Sequence, residues 1–346
     1  MRNFKRTAFS VLCFLVVVAL ISVACIGFYY HTEWQHFMDG RVRRSLSGSL
    51  DFLIIGSSLA WNGFAPQVLD EELGVNSYNL SSGVMPMHAK TLMVEKELKR
   101  NPVKTVLIEI AYDTLTRDTA QDYSEGDEMV IARMDSWGER FEYMRTYLSI
   151  NDVMNVYSRA LLRGVQAWLT LFRGEEGVVP ARKGYYPRVS NDQTIAPEDV
   201  AAAYHKKTFS LADYRQVNVD ELVDLIETCR AYGAEPILVT FPISDRANWT
   251  IDHLVDYGVW MEEFCREHGC AFYNCNLLRD RYDLFSDSVS FFDPEHLSDA
   301  GAQAFTRRFS ELLGEVWAGE SIADAFYSDS DAMLQDSPYM EFLTAR

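Results

Sequence analysis

Asp51-Phe-Leu-Ile-Ile-Gly-Ser-Ser58-Leu decides how this chain is read. An apolar run of strand length passes directly into Gly-Ser-Ser, so the segment predicts a buried strand over 51–56 that ends in a tight turn carrying a serine. Working outward, Ser77 to Leu80 and Val103 to Ile110 read as strands, with an amphipathic helix from Met87 to Arg100 between them. The alternation stops from Asp113 to about Val217, a tyrosine-rich mixed stretch. It resumes with a helix over 219–232, a strand over 236–241, a helix over 252–268, a strand over 271–274 and a helix over 298–317. Strands alternating with helices of this length imply right-handed crossovers and a parallel sheet covered on both faces. The expected fold class is a three-layer α/β/α sandwich with a mostly parallel, flavodoxin-like sheet, interrupted by an insertion at about 113–217.

The N-terminus predicts where the domain works. Arg2, Lys5 and Arg6 precede an almost uncharged apolar run over 8–30, long enough to cross a hydrocarbon core. The basic cluster favours a cytoplasmic segment 1–7, an anchor over 8–30, a juxtamembrane linker over 31–50 and an α/β domain over 51–318 outside the cell membrane. Arg41, Arg43 and Arg44 pull the other way, and a signal peptide ending at Ser22-Val-Ala24 is the rival reading. Residues 319–346 read as an acidic tail, either loosely ordered or a small terminal helix. A formal charge of −18 argues against nucleic acid as a partner, because affinity for it comes from basic side chains releasing counterions.

Six cysteines say little. Cys13 and Cys25 lie in the apolar run. Cys229, Cys265, Cys270 and Cys275 lie beyond it, where buried thiols or one disulfide are expected ahead of a zinc site, because no Cys-x-x-Cys pair is present. No metal or organic cofactor is expected.

A second segment, Phe292-Asp293-Pro-Glu-His296-Leu, supplies an acid and an imidazole three residues apart, before the last helix. A serine hydroxyl is a poor nucleophile until a base takes its proton, and histidine serves as that base when a carboxylate fixes its tautomer. Ser58, His296 and Asp293 are therefore the candidate catalytic residues, all at the carboxyl edge of the expected sheet, where sites in such folds lie. Plainer readings stand beside these. Gly56-Ser57-Ser58 also suits a strand-ending turn with a helix cap, and His296 also suits a neighbour of a capping Ser298. Asn62 is a candidate substrate contact or a packing residue. Glu109, inside an apolar strand, is expected to pair with a buried base.

These segments resemble the blocks of the SGNH, or GDSL-like, hydrolases. Gly56-Ser57-Ser58-Leu59 is similar to the first block with serine in place of its aspartate. Phe292 to Gly301 resembles the last block, and Tyr78-Asn-Leu-Ser-Ser-Gly83 resembles the second. The resemblance implies an oxyanion hole formed by the backbone N–H groups of Ser58 and Gly83. Val106 to Asp113 occupies the place of the third block, but its usual asparagine has no counterpart. Tyr112 stands about there and becomes a candidate substrate contact. With its N-terminal span, the chain most resembles the subgroup that includes the D-alanyl transfer protein of lipoteichoic acid synthesis and the polysaccharide O-acetylation proteins. That implies an extracytoplasmic serine esterase or acyltransferase acting on acyl esters of a cell-envelope glycopolymer, beside a membrane-bound O-acyltransferase partner. The alternative is a catalytically silent scaffold that binds the glycopolymer or that partner. Substrate choice is expected to reside in the insertion, where the apolar stretch Val156 to Phe172 either meets a membrane or integral partner or packs on the core.

Overall fold

A computed structural model describes residues 2–36, 38–117, 123–173, 182–188, 207–208, 210–285 and 287–338. The rest of the expected insertion and residues 339–346 lie outside the described residues. Five parallel strands form the sheet: β1 (Phe52–Ile55), β2 (Ser77–Asn79), β3 (Thr105–Glu109), β4 (Glu235–Thr240) and β5 (Ala271–Asn274), in the order β2-β1-β3-β4-β5. Register is set by Phe52 opposite both Ser77 and Thr105, Thr105 opposite Glu235, and Ile237 opposite Ala271. This is the doubly wound order expected from the alternation, with its switch point between β1 and β3.

The strands are apolar on both faces because each face meets a helical layer. Along β1, Leu53 and Ile55 join one buried cluster and Phe52 and Ile54 the other. The first cluster takes in helices Met87–Leu98, Gln216–Ala231 and Leu254–His268; the second takes in Asp299–Trp317 and the short helices Ser58–Gly63 and Pro66–Leu73. A period of two along each strand divides these side chains between the layers.

The N-terminal helix runs from Arg2 to His36 and is long and apolar enough, over Thr7–Trp34, to cross a membrane. From Phe9 to Val23 its large apolar side chains are exposed, whereas Tyr30, Trp34 and Met38 are buried. The stretch over 31–50, expected to be a linker, is thus built into the fold: the N-terminal helix reaches His36, a second helix follows at Gly40–Ser45, and Arg43 pairs with Glu97 at 2.7 Å. Burial of the aromatic residues explains the difference.

Part of the insertion is helical, with Tyr123–Arg133, Trp137–Tyr147 and the 24-residue helix Ile150–Arg173. The last packs on the core through Val156 and Ala160, and on the N-terminal helix itself. Gly164 permits that approach, since a Cβ there would stand 2.2 Å from the Cys25 carbonyl oxygen. Phe28 and Trp168 pack in a tilted arrangement with ring centroids 5.0 Å apart. The tail is ordered where described. Its helix Ser330–Gln335 buries Met333, and Tyr282 donates to the Met333 carbonyl at 3.0 Å.

Candidate active site

The turn after β1 sets the geometry. Ser57 caps the helix Ser58–Gly63, its hydroxyl accepting the Leu59 N–H at 3.2 Å, so Ser58 occupies the first helical position with its backbone N–H at the helix's positive end. Beneath the turn, Glu109 at the end of β3 is fully buried, and its Oε2 accepts the Ser57 N–H at 2.5 Å. Gly56 makes room for this: a Cβ there would lie 2.6 Å from that oxygen and 2.8 Å from the Ala60 Cβ.

The opposite wall comes from the loop before the last helix. Asp293 Oδ1 accepts the backbone N–H groups of Glu295 and His296, each at 2.9 Å, which folds the segment into a tight turn. The Ser244 N–H holds the loop by donating to the Pro294 carbonyl at 3.0 Å, and Phe292 donates to the His296 carbonyl at 2.8 Å. Ser298 caps Asp299–Trp317 by accepting the Gly301 N–H. Gly301 is required for close approach, because a Cβ would meet the Ser290 carbonyl oxygen at 2.1 Å.

These two walls bring the three candidates into line. His296 Nε2 lies 2.7 Å from Ser58 Oγ, and His296 Nδ1 lies 2.9 Å from both carboxylate oxygens of Asp293. Burial alone would raise the Asp293 pKa. The hydrogen bond and charge of His296, with the two backbone N–H groups, outweigh it and hold the carboxyl below its ordinary range.

Ser58 and His296 face a cleft of about 60 Å³, walled by Tyr112, Phe241, Tyr257 and Asn274 among others. Tyr112 thus lies where a substrate contact was expected. Asn62 does not. It is fully buried and its Nδ2 donates to the Tyr186 carbonyl at 2.9 Å, while Trp61 stacks on Tyr186 at 5.0 Å, so this pair ties the insertion to the turn. The correction has a simple cause: the Asn62 amide is taken up by the buried hydrogen bond to the Tyr186 carbonyl instead of lining the cleft.

Gly83 is not among the cleft-lining residues and lies against Met129. Its predecessor Ser82 nevertheless donates to the Gly56 carbonyl at 3.4 Å, which draws this loop against the catalytic turn. Val84, next in sequence, adopts a φ of 50°, a left-handed conformation that costs a β-branched residue about 1–3 kcal/mol.

Three participants escaped the sequence. Lys90, fully buried, donates to the Glu109 backbone carbonyl at 3.3 Å and not to its carboxylate, so the pairing expected of that carboxylate is not made by this lysine; burial pushes the Lys90 pKa down to about 8 against the opposing pull of Glu109. Ser330, from the tail, lines the cleft, as does Arg117, which pairs with Asp113 at 2.9 Å. A lysine on an amphipathic helix and a serine in an acidic tail carry no local signal of such positions.

Among the described residues, no group of three or more potential metal ligands occurs, and all six cysteines are free thiols, Cys229 and Cys275 buried. No family model and no curated protein matches the chain. It is similar in structure to a GDSL-like lipase from Bacteroides thetaiotaomicron, at 7% identity and a TM-score of 0.37, covering 80% of this chain and 96% of that one. An acetyl xylan esterase from Geobacillus stearothermophilus aligns at 14% identity and a TM-score of 0.35, covering 78% and 96%. Another, from the rumen bacterium Butyrivibrio proteoclasticus, aligns at 12% and 0.31, covering 79% and 65%. Likenesses this loose carry no argument, and what the site does rests on the distances between Ser58, His296 and Asp293.

Proposed function

We propose that this chain is a membrane-anchored serine esterase or acyltransferase of the SGNH type, acting on short acyl esters of a cell-envelope glycopolymer. The observation that carries the proposal is the continuous array from Ser58 Oγ through His296 Nε2 and Nδ1 to the Asp293 carboxylate, with links of 2.7 and 2.9 Å. In this reading His296 takes the Ser58 proton as the hydroxyl oxygen attacks the ester carbonyl. Asp293 accepts the Nδ1–H, fixes the tautomer and stabilises the imidazolium that forms. The tetrahedral oxyanion is held by the backbone N–H of Ser58, a cleft-lining residue at the start of its helix, whereas Gly83 lies outside the cleft lining and is not given this role. His296 then returns the proton to the leaving alcohol, leaving an acyl-Ser58 ester. A second hydroxyl, from water or from a sugar or polyol, gives its proton to His296, attacks that ester and restores Ser58.

The partner surface and location follow from the same reading. The exposed apolar helix supports an anchor, and burial of Tyr30 and Trp34 packs the end of that helix into the domain. On this reading the cleft acts on envelope polymers beside an integral acyltransferase. The reading is tested with the full chain in detergent, using a serine-directed fluorophosphonate and aryl acetates. Stoichiometric labelling that is lost in Ser58→Ala, with parallel loss of acetate release, supports it. Folded protein that takes no label overturns it in favour of the silent scaffold. Acyl transfer to an added glycopolymer exceeding release to water separates transferase from hydrolase.

A further inference from the structure

A second cavity, of about 590 Å³, shares no residue with the catalytic cleft. One wall is the N-terminal helix, through Gly27, Tyr30 and Trp34, which recur at helical spacing on one face just where the apolar run ends. In a bilayer this is the level of the headgroups, where amphipathic aromatic rings settle. Trp137 supplies another such ring from the insertion.

The remaining wall is cationic. Arg41 and Arg44, three residues apart on the helix Gly40–Ser45, both line the cavity, and the Arg44 guanidinium lies 4.4 Å over the Trp34 ring. Among the described residues neither has a carboxylate partner, and both are exposed. Arg140 adds a third guanidinium; it is buried and fixed by donating to the Ile131 and Met134 carbonyls. Asp135 is the one acid of the lining, and it is engaged by Arg43 at 3.1 Å, Lys96 at 2.7 Å and Arg100 at 2.9 Å. A chain with a formal charge of −18 therefore concentrates uncompensated positive charge at one place, beside the membrane-crossing helix.

We propose that this cavity binds the phosphate of an anionic phospholipid headgroup, with Arg41 and Arg44 on the phosphate oxygens and the aromatic rings against the glycerol and upper acyl chains. Arginine suits the role because its planar fork pairs with phosphate oxygens at two points and stacks on aromatic faces. The inference rests on the membrane-anchored reading above. Bound lipid would fix the depth and tilt of the domain, and so the height of the catalytic cleft over the bilayer.

The test uses the full chain in nanodiscs of phosphatidylcholine with or without phosphatidylglycerol, followed by detergent extraction and native mass spectrometry of retained lipid. The wild type should retain one phosphatidylglycerol in preference to phosphatidylcholine, and Arg41→Gln with Arg44→Gln should lower that retention about tenfold or more. The charge-matched control Arg266→Gln with Arg307→Gln should retain it, and aryl-acetate hydrolysis should be unchanged in both double variants. Equal retention in the Arg41/Arg44 variant, or equal loss in the control, overturns the site. Displacement by millimolar inorganic phosphate as effective as by the lipid overturns the headgroup as ligand. Release of the chain from membranes by alkaline carbonate overturns the anchor itself, whereas firm anchoring without headgroup preference overturns this site alone.

Discussion

The buried carboxylate of Glu109 accepts the backbone N–H of Ser57, one residue before the proposed nucleophile, at 2.5 Å. This buried side-chain acceptor on a backbone donor clamps the turn that aims Ser58 at His296. Glu109→Gln keeps an acceptor of the same shape and should retain most activity. Glu109→Ala leaves the buried Ser57 N–H without its side-chain acceptor, while Lys90 keeps the backbone carbonyl at 109, and should lower stability by about 1–3 kcal/mol and lower kcat more than KM. Thermal unfolding and steady-state kinetics on both variants check this; equal kcat in wild type and Glu109→Ala would remove the clamp from the mechanism.

Asp293→Asn should reduce kcat by about four orders of magnitude, the size found when a triad carboxylate is replaced without loss of geometry, an effect measured in a serine protease. Fluorophosphonate labelling should slow in parallel. A folded variant that keeps the parent rate would show that Asp293 does not orient His296.

The sign of the Asp293 shift gives a separate expectation. Its folded pKa lies below the ordinary value of about 3.9, so its contribution to stability is fully present above that pH and is lost as pH falls through the lower, folded value. Acid unfolding followed by circular dichroism should be less steep below pH about 4 in Asp293→Asn. Any loss of activity above pH about 4 then belongs to a group other than Asp293.

Lys90 gives a slope of the same sign on the alkaline side. With a folded pKa near 8 and an unfolded one near 10.4, the unfolded chain binds the extra proton between these values, so stability from this residue rises with pH through that window. The unfolding free energy of wild type minus that of Lys90→Met should increase by up to about 1 kcal/mol per pH unit between pH 8 and 10. A flat difference, by denaturant titration at each pH, would contradict a buried neutral lysine.

The cleft beside Ser58 is small, about 60 Å³, with room for little more than a few small groups. Acetyl and similarly short esters should therefore be turned over faster than butyryl or octanoyl esters of the same alcohol, by at least tenfold in kcat/KM. A series of 4-nitrophenyl esters measures this, and a preference rising with chain length would show that the insertion opens a larger acyl site.

How much was legible in advance depended on the range of the interaction concerned. Asp293 and His296 are three residues apart, and their mutual geometry is written in one local turn. Ser58 follows an apolar strand into a Gly-Ser-Ser turn, again a local signal. Asn62 looked equally well placed, but its side chain follows a helical turn into packing against Tyr186, a partner 124 positions away. Residues 31–50 were polar and basic enough to resemble a linker, yet Trp34, Met38 and Arg43 find burial and charge partners that no local pattern announces.

By itself the sequence determined the alternation of strands and helices, the parallel sheet and the edge on which serine, acid and base must fall, because hydrophobic period and turn chemistry act over a few residues. Only the tertiary structure decided that Glu109 supports the catalytic turn, that Ser330 reaches the cleft, and that Arg41 and Arg44 line one cavity with Trp34 and Trp137. Those juxtapositions depend on burial and charge compensation between segments far apart in the chain, and such energies exist only once the layers have packed.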